Sequence, residues 1–163
     1  MKTNRDVCEV AEMVLYAKAH GKRTCTVSGV VFDDNIYDGR GGRCQENTRK
    51  VYEAALDKPM PGKACCAYKT YLNLLKMKNM PKVVKAYPKG APKDAKPGDA
   101  LFFSGGPKCH TCGNPVGHVG IWLGNGRMFQ HTSRAGLGIT QQPPTASQIY
   151  RFVGAYRLAP VEE

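Results

Sequence analysis

Cys44 and His118 are the residues of this chain whose types and settings suit nucleophilic chemistry. In the stretch CQENTRKVYEAAL, Thr48, Val51, Tyr52 and Ala55 recur at i, i+3, i+4 and i+7. That is one buried stripe of a helix beginning at or just after Cys44. A thiol at a helix start sits beside unsatisfied backbone N–H groups and the positive end of the helix dipole, and both favour the thiolate. Gly41 and Gly42 ahead of it allow close approach of backbone and substrate, and Arg43 adds positive charge. A thiolate nucleophile needs a base to hold its proton and later deliver it to a leaving group. His118, opening a strand behind Gly117 so that its side chain can point at a helix end packed on the sheet, is the candidate. A small buried cysteine and a structural histidine are the commoner occupants of such positions, so the local sequences must carry the case.

A third polar group would orient the imidazole by accepting from its other nitrogen. The hairpin after His118 decides which residue that is. A two-residue turn at Asn125–Gly126 puts Gly120 opposite His131, which then shares a face with His118. A three-residue loop, Gly124–Asn125–Gly126 with a bulge, puts Gly120 opposite Gln130 instead. Both turns suit these residues, and a slip of one position exchanges the two candidates.

The elements that must position these groups read as follows. Val7, Val10, Val14 and Ala17 give residues 4–19 a helical period, and Gly21 follows as a stop. Residues 26–43 hold four glycines and read as an irregular, mostly extended approach. A helix over 64–78 follows the Pro59–Pro61–Gly62 break, with Ala67, Tyr71, Leu74 and Leu75 as its apolar stripe. Residues 85–96 read as a Lys/Pro-rich connector with too few apolar groups to pack. After Pro97 the period changes: KPGDALFF, HVGIWLG, RMFQHTS and FVGAYRL read as strands, the middle two joined by the GNG turn. Helices first and an antiparallel sheet afterwards make an α+β architecture.

The chain has 163 residues with 42% hydrophobic, 9% aromatic and 23% charged. That composition excludes collagen-like, coiled-coil and wholly disordered classes. Its apolar runs are far short of the roughly 20 residues of a membrane-spanning helix, so no membrane partner is expected. The N-terminus, MKTNRDVCEVAEM, lacks the basic and apolar stretches of a secretory signal, so the chain is expected to be made in the cytoplasm. Twenty-four Lys and Arg against 13 Asp and Glu give +11, which suits an anionic matrix. Lysines crowd residues 57–97 without a zinc-finger, homeodomain or RNP signature, so a solvated basic face is expected and no specific nucleic-acid partner.

On KPGDALFF (96–103), GHVGIWLGNGRMFQHTS (117–133), FVGAYRL (152–158) and Cys44 at a helix start, the chain resembles the papain-like NlpC/P60 and CHAP cell-wall cysteine peptidases. The likeness covers about residues 27–158, its specific part being 96–133. It implies a papain-like fold with N-terminal helices packed on a central antiparallel sheet, in one domain over 1–163 made of a helix (1–25) and a catalytic core (26–158). It also implies catalysis by Cys44 and His118. Family spacing places the third group twelve residues after the histidine, at Gln130, with His131 the neighbouring alternative. The implied reaction is cleavage of an amide bond in the peptidoglycan stem peptide or cross-bridge. With it come a phage or phage-derived lysin acting on the wall as a monomer, and no cofactor. Departures from the family pattern are Arg43–Cys44–Gln45–Glu46 where Asp-Cys-Ser-Gly is usual, and an insertion, GGPKCHTCGNPVG, before the histidine. A catalytically inactive wall-binding module of the same fold is the alternative, and the presence of both Cys44 and His118 argues against it.

The other cysteines form a separate question. Cys109-His110-Thr111-Cys112-Gly113 has the form of a zinc knuckle, yet a closed site needs four ligands and no second C-x-x-C exists. Cys65 and Cys66 are adjacent and expected not to bind side by side, while Cys8 and Cys25 are far off in sequence. Zinc, a disulfide and unligated thiols remain open for the knuckle, and no metal ligand is assigned.

Overall fold

A computed structural model of the chain describes residues 1–33, 43–77, 82–84, 94–132, 136–140 and 150–161. The first helix, α1 (Asn4–Ala19), starts at a capping box: the Thr3 side chain accepts from the Arg5 N–H, and the Asp6 carboxylate accepts from the Thr3 N–H at 2.7 Å. It buries Val7, Val10, Ala11, Val14 and Leu15. Gly21, at φ 78, follows its end as the sequence predicts. The backbone N–H of Asn4 donates to the Pro160 carbonyl at 2.8 Å, so the two ends of the described chain lie side by side.

A hairpin of β1 (Thr24–Val27) and β2 (Val30–Asp33) comes next. Its turn residues, Ser28 and Gly29, have φ 49 and 77, the left-handed pair of a two-residue turn that matches strand twist. The extended reading of this region holds for residues 26–33 but overlooked the pairing; residues 34–42 lie outside the described residues. Helix α2 (Arg43–Leu56) buries the expected stripe of Thr48, Val51, Tyr52 and Ala55. Helix α3 (Ala67–Lys76) is shorter than the 64–78 expected. Cys66 is its extended N-cap, and the chain bends at Cys65 and Cys66 before the helix begins.

The six-stranded sheet has the order β3-β8-β4-β5-β6-β7. Its strands are β3 (Lys82–Val84), β4 (Ala100–Gly105), β5 (His118–Gly124), β6 (Arg127–Thr132), β7 (Gly136–Thr140) and β8 (Tyr150–Tyr156). Every neighbouring pair is antiparallel. Strands β3 and β7 were not anticipated: β3 is three residues long, and the glycine-rich β7 offers little apolar alternation. The connector reading also fails at Ala95, which is buried.

Period-two alternation gives the sheet two apolar faces. Phe102, Val119, Ile121, Phe129 and Tyr156 pack with α1, α2 and α3 in the main core. Leu101, Phe103, Trp122, Met128, Phe152 and Ala155 form a second cluster on the other face. Truncating Phe102 or Phe129 to Ala would cost about 3–5 kcal/mol in lost transfer energy and cavity. The fold is thus α+β, helices on an antiparallel sheet, as the sequence predicts.

The PGD turn locks the sheet to the chain ends. Gly98 has φ 98, and a Cβ there would meet Asn4 at 2.6 Å, so only glycine fits. Asp99 is fully buried. Its carboxylate accepts from Asn4 Nδ2 (2.9 Å), the Lys96 N–H (2.8 Å), and Arg157 Nε and Nη2 (3.0 and 2.9 Å). Tyr52 on α2 donates to the neighbouring Gly98 carbonyl at 2.6 Å, fixing the helix to the same turn.

Candidate active site

The hairpin that follows His118 combines the two alternatives: the two-residue turn of one with the bulge and the register of the other. Asn125 and Gly126 have φ 52 and 74, the two left-handed residues of a two-residue turn, and Gly124 pairs with Arg127. Trp122 nevertheless pairs with Met128 and Ile121 with Phe129, so Leu123 is an extra residue in β5. That bulge shifts the ladder by one. Carried back one position, the register sets Gly120 opposite Gln130.

The consequence is a buried hydrogen bond: His118 Nε2–H donates to Gln130 Oε1 at 2.6 Å. Accepting there fixes the imidazole proton on Nε2 and holds the ring plane. The Phe103 ring packs 5.8 Å from the imidazole, and His118 and Gln130 are 7% and 2% exposed. Gly117 sets the entry to the strand: at φ 68, a Cβ there would meet the Phe103 carbonyl at 2.7 Å and the Tyr68 Cβ at 2.8 Å.

His131 is placed elsewhere. It points to the opposite sheet face, where its Nδ1 accepts from Asn47 Nδ2 on α2 at 2.7 Å. The residue hydrogen-bonded to His118 is Gln130; His131 is a strut between β6 and the helix that carries Cys44. Alternation also corrects the expected aim of His118. Paired with Phe103, it shares the face of Phe103 and Trp122, whereas α2 packs on the face of Val119 and Ile121. His118 therefore lies on the sheet face opposite the one that α2 covers, at the first residue of β5.

Cys44 lies in the first turn of α2; its side chain, like Gly41 and Gly42, lies outside the described residues. Two buried polar side chains near the same helix end bond to other elements, and sequence reading missed both roles. Asn47 is one, bonded to His131. Gln45 is the other: its Nε2 donates to the Ala64 carbonyl at 2.6 Å, and its Oε1 accepts from Thr70 Oγ1 on α3. Asn47 sits three residues beyond Cys44, about 4.5 Å along the axis. The start of α2 is thereby tied to β6 at His131, the residue after Gln130. A polar pair close behind a helix start is a sequence signal, but its partners are 84 and 19–25 residues away.

The remaining cysteines converge. The Sγ atoms of Cys65, Cys66, Cys109 and Cys112 all lie within 4.8 Å of one another. The expectation that Cys65 and Cys66 cannot serve side by side is corrected: the bend between them brings both sulfurs to the knuckle, where an extended chain would have sent them to opposite sides. The knuckle closes on itself, with the Cys109 N–H donating to the Asn114 carbonyl (2.7 Å) and the Gly113 N–H to the Cys109 carbonyl (2.9 Å). Gly113 takes φ 76. The Asn114 backbone N–H draws the Cys112 thiol down to about 7, whereas burial pushes the Cys66 thiol up to about 12. None of the four is in a disulfide.

The NlpC/P60 family model matches residues 44–156. No curated protein matches the chain. Among solved structures, a crystal structure of a Staphylococcus aureus NLP/P60-family protein, similar to a lipoprotein, superposes with a TM-score of 0.50 at 17% identity. The superposition covers 100% of this chain and 44% of that one, so the chain spans less than half the length of this neighbour. The likeness supports the papain-like fold.

Proposed function

Because the chain belongs to the NlpC/P60 family, we propose that it is a peptidoglycan hydrolase cleaving an amide bond of the wall's stem peptide or cross-bridge, with Cys44 as nucleophile and His118 as base and acid. The Cys44 thiolate attacks the carbonyl carbon, forming a C–S bond and a tetrahedral oxyanion. As the C–N bond breaks, the imidazolium gives its proton to the leaving amine. Water, deprotonated by the same ring, then hydrolyses the thioester and frees the thiol. Since Nε2–H is given to Gln130, this proton traffic falls to Nδ1.

The observation that carries the reading is the 2.6 Å His118–Gln130 hydrogen bond at the start of β5. Beside it stands the tie from Asn47 to His131, which holds the Cys44-bearing helix start to the end of β6. The formal charge of +11 supports an acidic polymer as substrate, since a basic surface raises encounter rates and makes them fall with salt. Purified cell walls incubated with the protein should release peptides with new amino termini, identified by mass spectrometry, and Cys44→Ala should release none. Full lytic activity in Cys44→Ala would overturn the proposal.

A further inference from the structure

We propose that Cys65, Cys66, Cys109 and Cys112 bind one zinc ion in a closed tetrahedral site. A zinc–thiolate bond of about 2.3 Å implies sulfur–sulfur edges of about 3.8 Å in a regular tetrahedron. Cys66 and Cys112 stand 3.8 Å apart, and all four sulfurs lie within 4.8 Å. A disulfide instead needs sulfurs about 2.05 Å apart, and two of them would have to replace the four-way convergence with two separate pairs.

The donor environment matches the ion. Backbone N–H groups of Thr111 and Cys112 point at the Cys109 sulfur, that of Asn114 at Cys112, and that of Lys69 at Cys66. Such donors stabilise thiolate charge after the four thiols release their protons to solvent on binding. Lys63, Lys69 and Lys108 lie within three residues of the ligands and offset the net double negative charge of a zinc tetrathiolate. Four soft sulfurs in a tetrahedron suit zinc or iron. Cys65 is exposed, so an iron centre would stand open to oxidants, whereas zinc has no redox chemistry.

The site would staple two segments that both serve the candidate active site. Ala64, beside Cys65, accepts from Gln45. The loop carrying Cys109 and Cys112 runs on through Val116, whose carbonyl accepts from the Tyr68 N–H, into His118. The ion therefore acts as a positioning element for both.

Metal analysis of the full chain, purified under reducing conditions and refolded with zinc, tests this. About one zinc per chain is expected, with near-complete loss in the Cys109→Ser/Cys112→Ser double variant and none in Cys25→Ser. Should the double variant fail to fold, two measurements on the unaltered chain suffice. Cobalt added after chelation should give the absorption of a tetrahedral tetrathiolate. Iodoacetamide mapping should find the four cysteines protected by zinc and labelled after chelation, with Cys25 labelled alike in both states. A chain that takes up no zinc and gives no such cobalt spectrum overturns the proposal. So do stoichiometric iron in place of zinc and recovery of the four sulfurs as disulfides.

Discussion

Two buried polar clusters stand at opposite ends of the β4–β5 ladder, and they are built differently. At one end the Asp99 carboxylate collects four donors from the first helix, its own turn and the segment after β8. At the other, the His118 ring is gripped through Nε2 by Gln130, and its second nitrogen carries the proton traffic of the proposed mechanism. A buried charge saturated from several directions is an anchor, because moving it strands every donor. A ring oriented by a hydrogen bond is an instrument: the grip sets its aim. Both clusters follow a glycine with positive φ, Gly98 in PGD and Gly117 in GHVG, and the partners set their different roles.

The sharpest break of this contrast is a double comparison. His118→Ala should cut wall hydrolysis by about 10³-fold or more while thermal unfolding changes little. Asp99→Ala should do the reverse, losing about 3–5 kcal/mol in urea unfolding with the folded fraction still active. Activity loss without destabilisation in Asp99→Ala would end the distinction. Next in size, Gln130→Ala should lower kcat by roughly 10- to 100-fold, as losing an orienting partner does elsewhere. His131→Ala, which removes a buried acceptor from the Asn47 amide, should cost about 1–3 kcal/mol of stability and leave kcat nearly unchanged. Equal kcat losses in the two variants would show that the register does not separate their roles.

Smaller still is the anchoring of α1. Thr3→Ala should cost about 1 kcal/mol with no change in kcat, read from the urea midpoint. The Thr3 backbone N–H holds the Asp6 carboxyl below its ordinary range. A carboxyl lowered on folding stabilises above its unfolded value, about pH 4. That contribution fades as pH falls through the lowered folded value. Asp6→Asn should therefore flatten the acid limb of the stability profile and leave the neutral limb's slope alone.

Much of this was legible in the sequence because the signals are local. Val7 to Leu15, Thr48 to Ala55 and the alternation in HVGIWLG each report a period within one element, and all three elements formed where expected. The register of the β5–β6 hairpin was not legible, since the two-residue turn and the Leu123 bulge act in opposite directions and sequence shows only their components. The aim of His118 misled for a related reason: the strand was placed correctly, but which face the helices cover depends on the rest of the sheet. The roles of Gln45 and Asn47 depend on residues far away in the chain. The four-cysteine cluster was half visible. The knuckle announced itself by spacing, while its second pair was hidden by the assumption that adjacent residues diverge, which a bend before α3 defeats.

The hydrogen bond from the Asn4 N–H to the Pro160 carbonyl holds residues 4 and 160 side by side. A brief peptide bridging the residues after Pro160 to Thr3 would complete the ring, and a fresh opening at the exposed Gly21–Lys22 turn would cut no core element. A circular permutant of that design would keep α1 seated on the PGD turn while presenting both new termini just past the C-terminal end of that helix, a practical handle for fusing other modules.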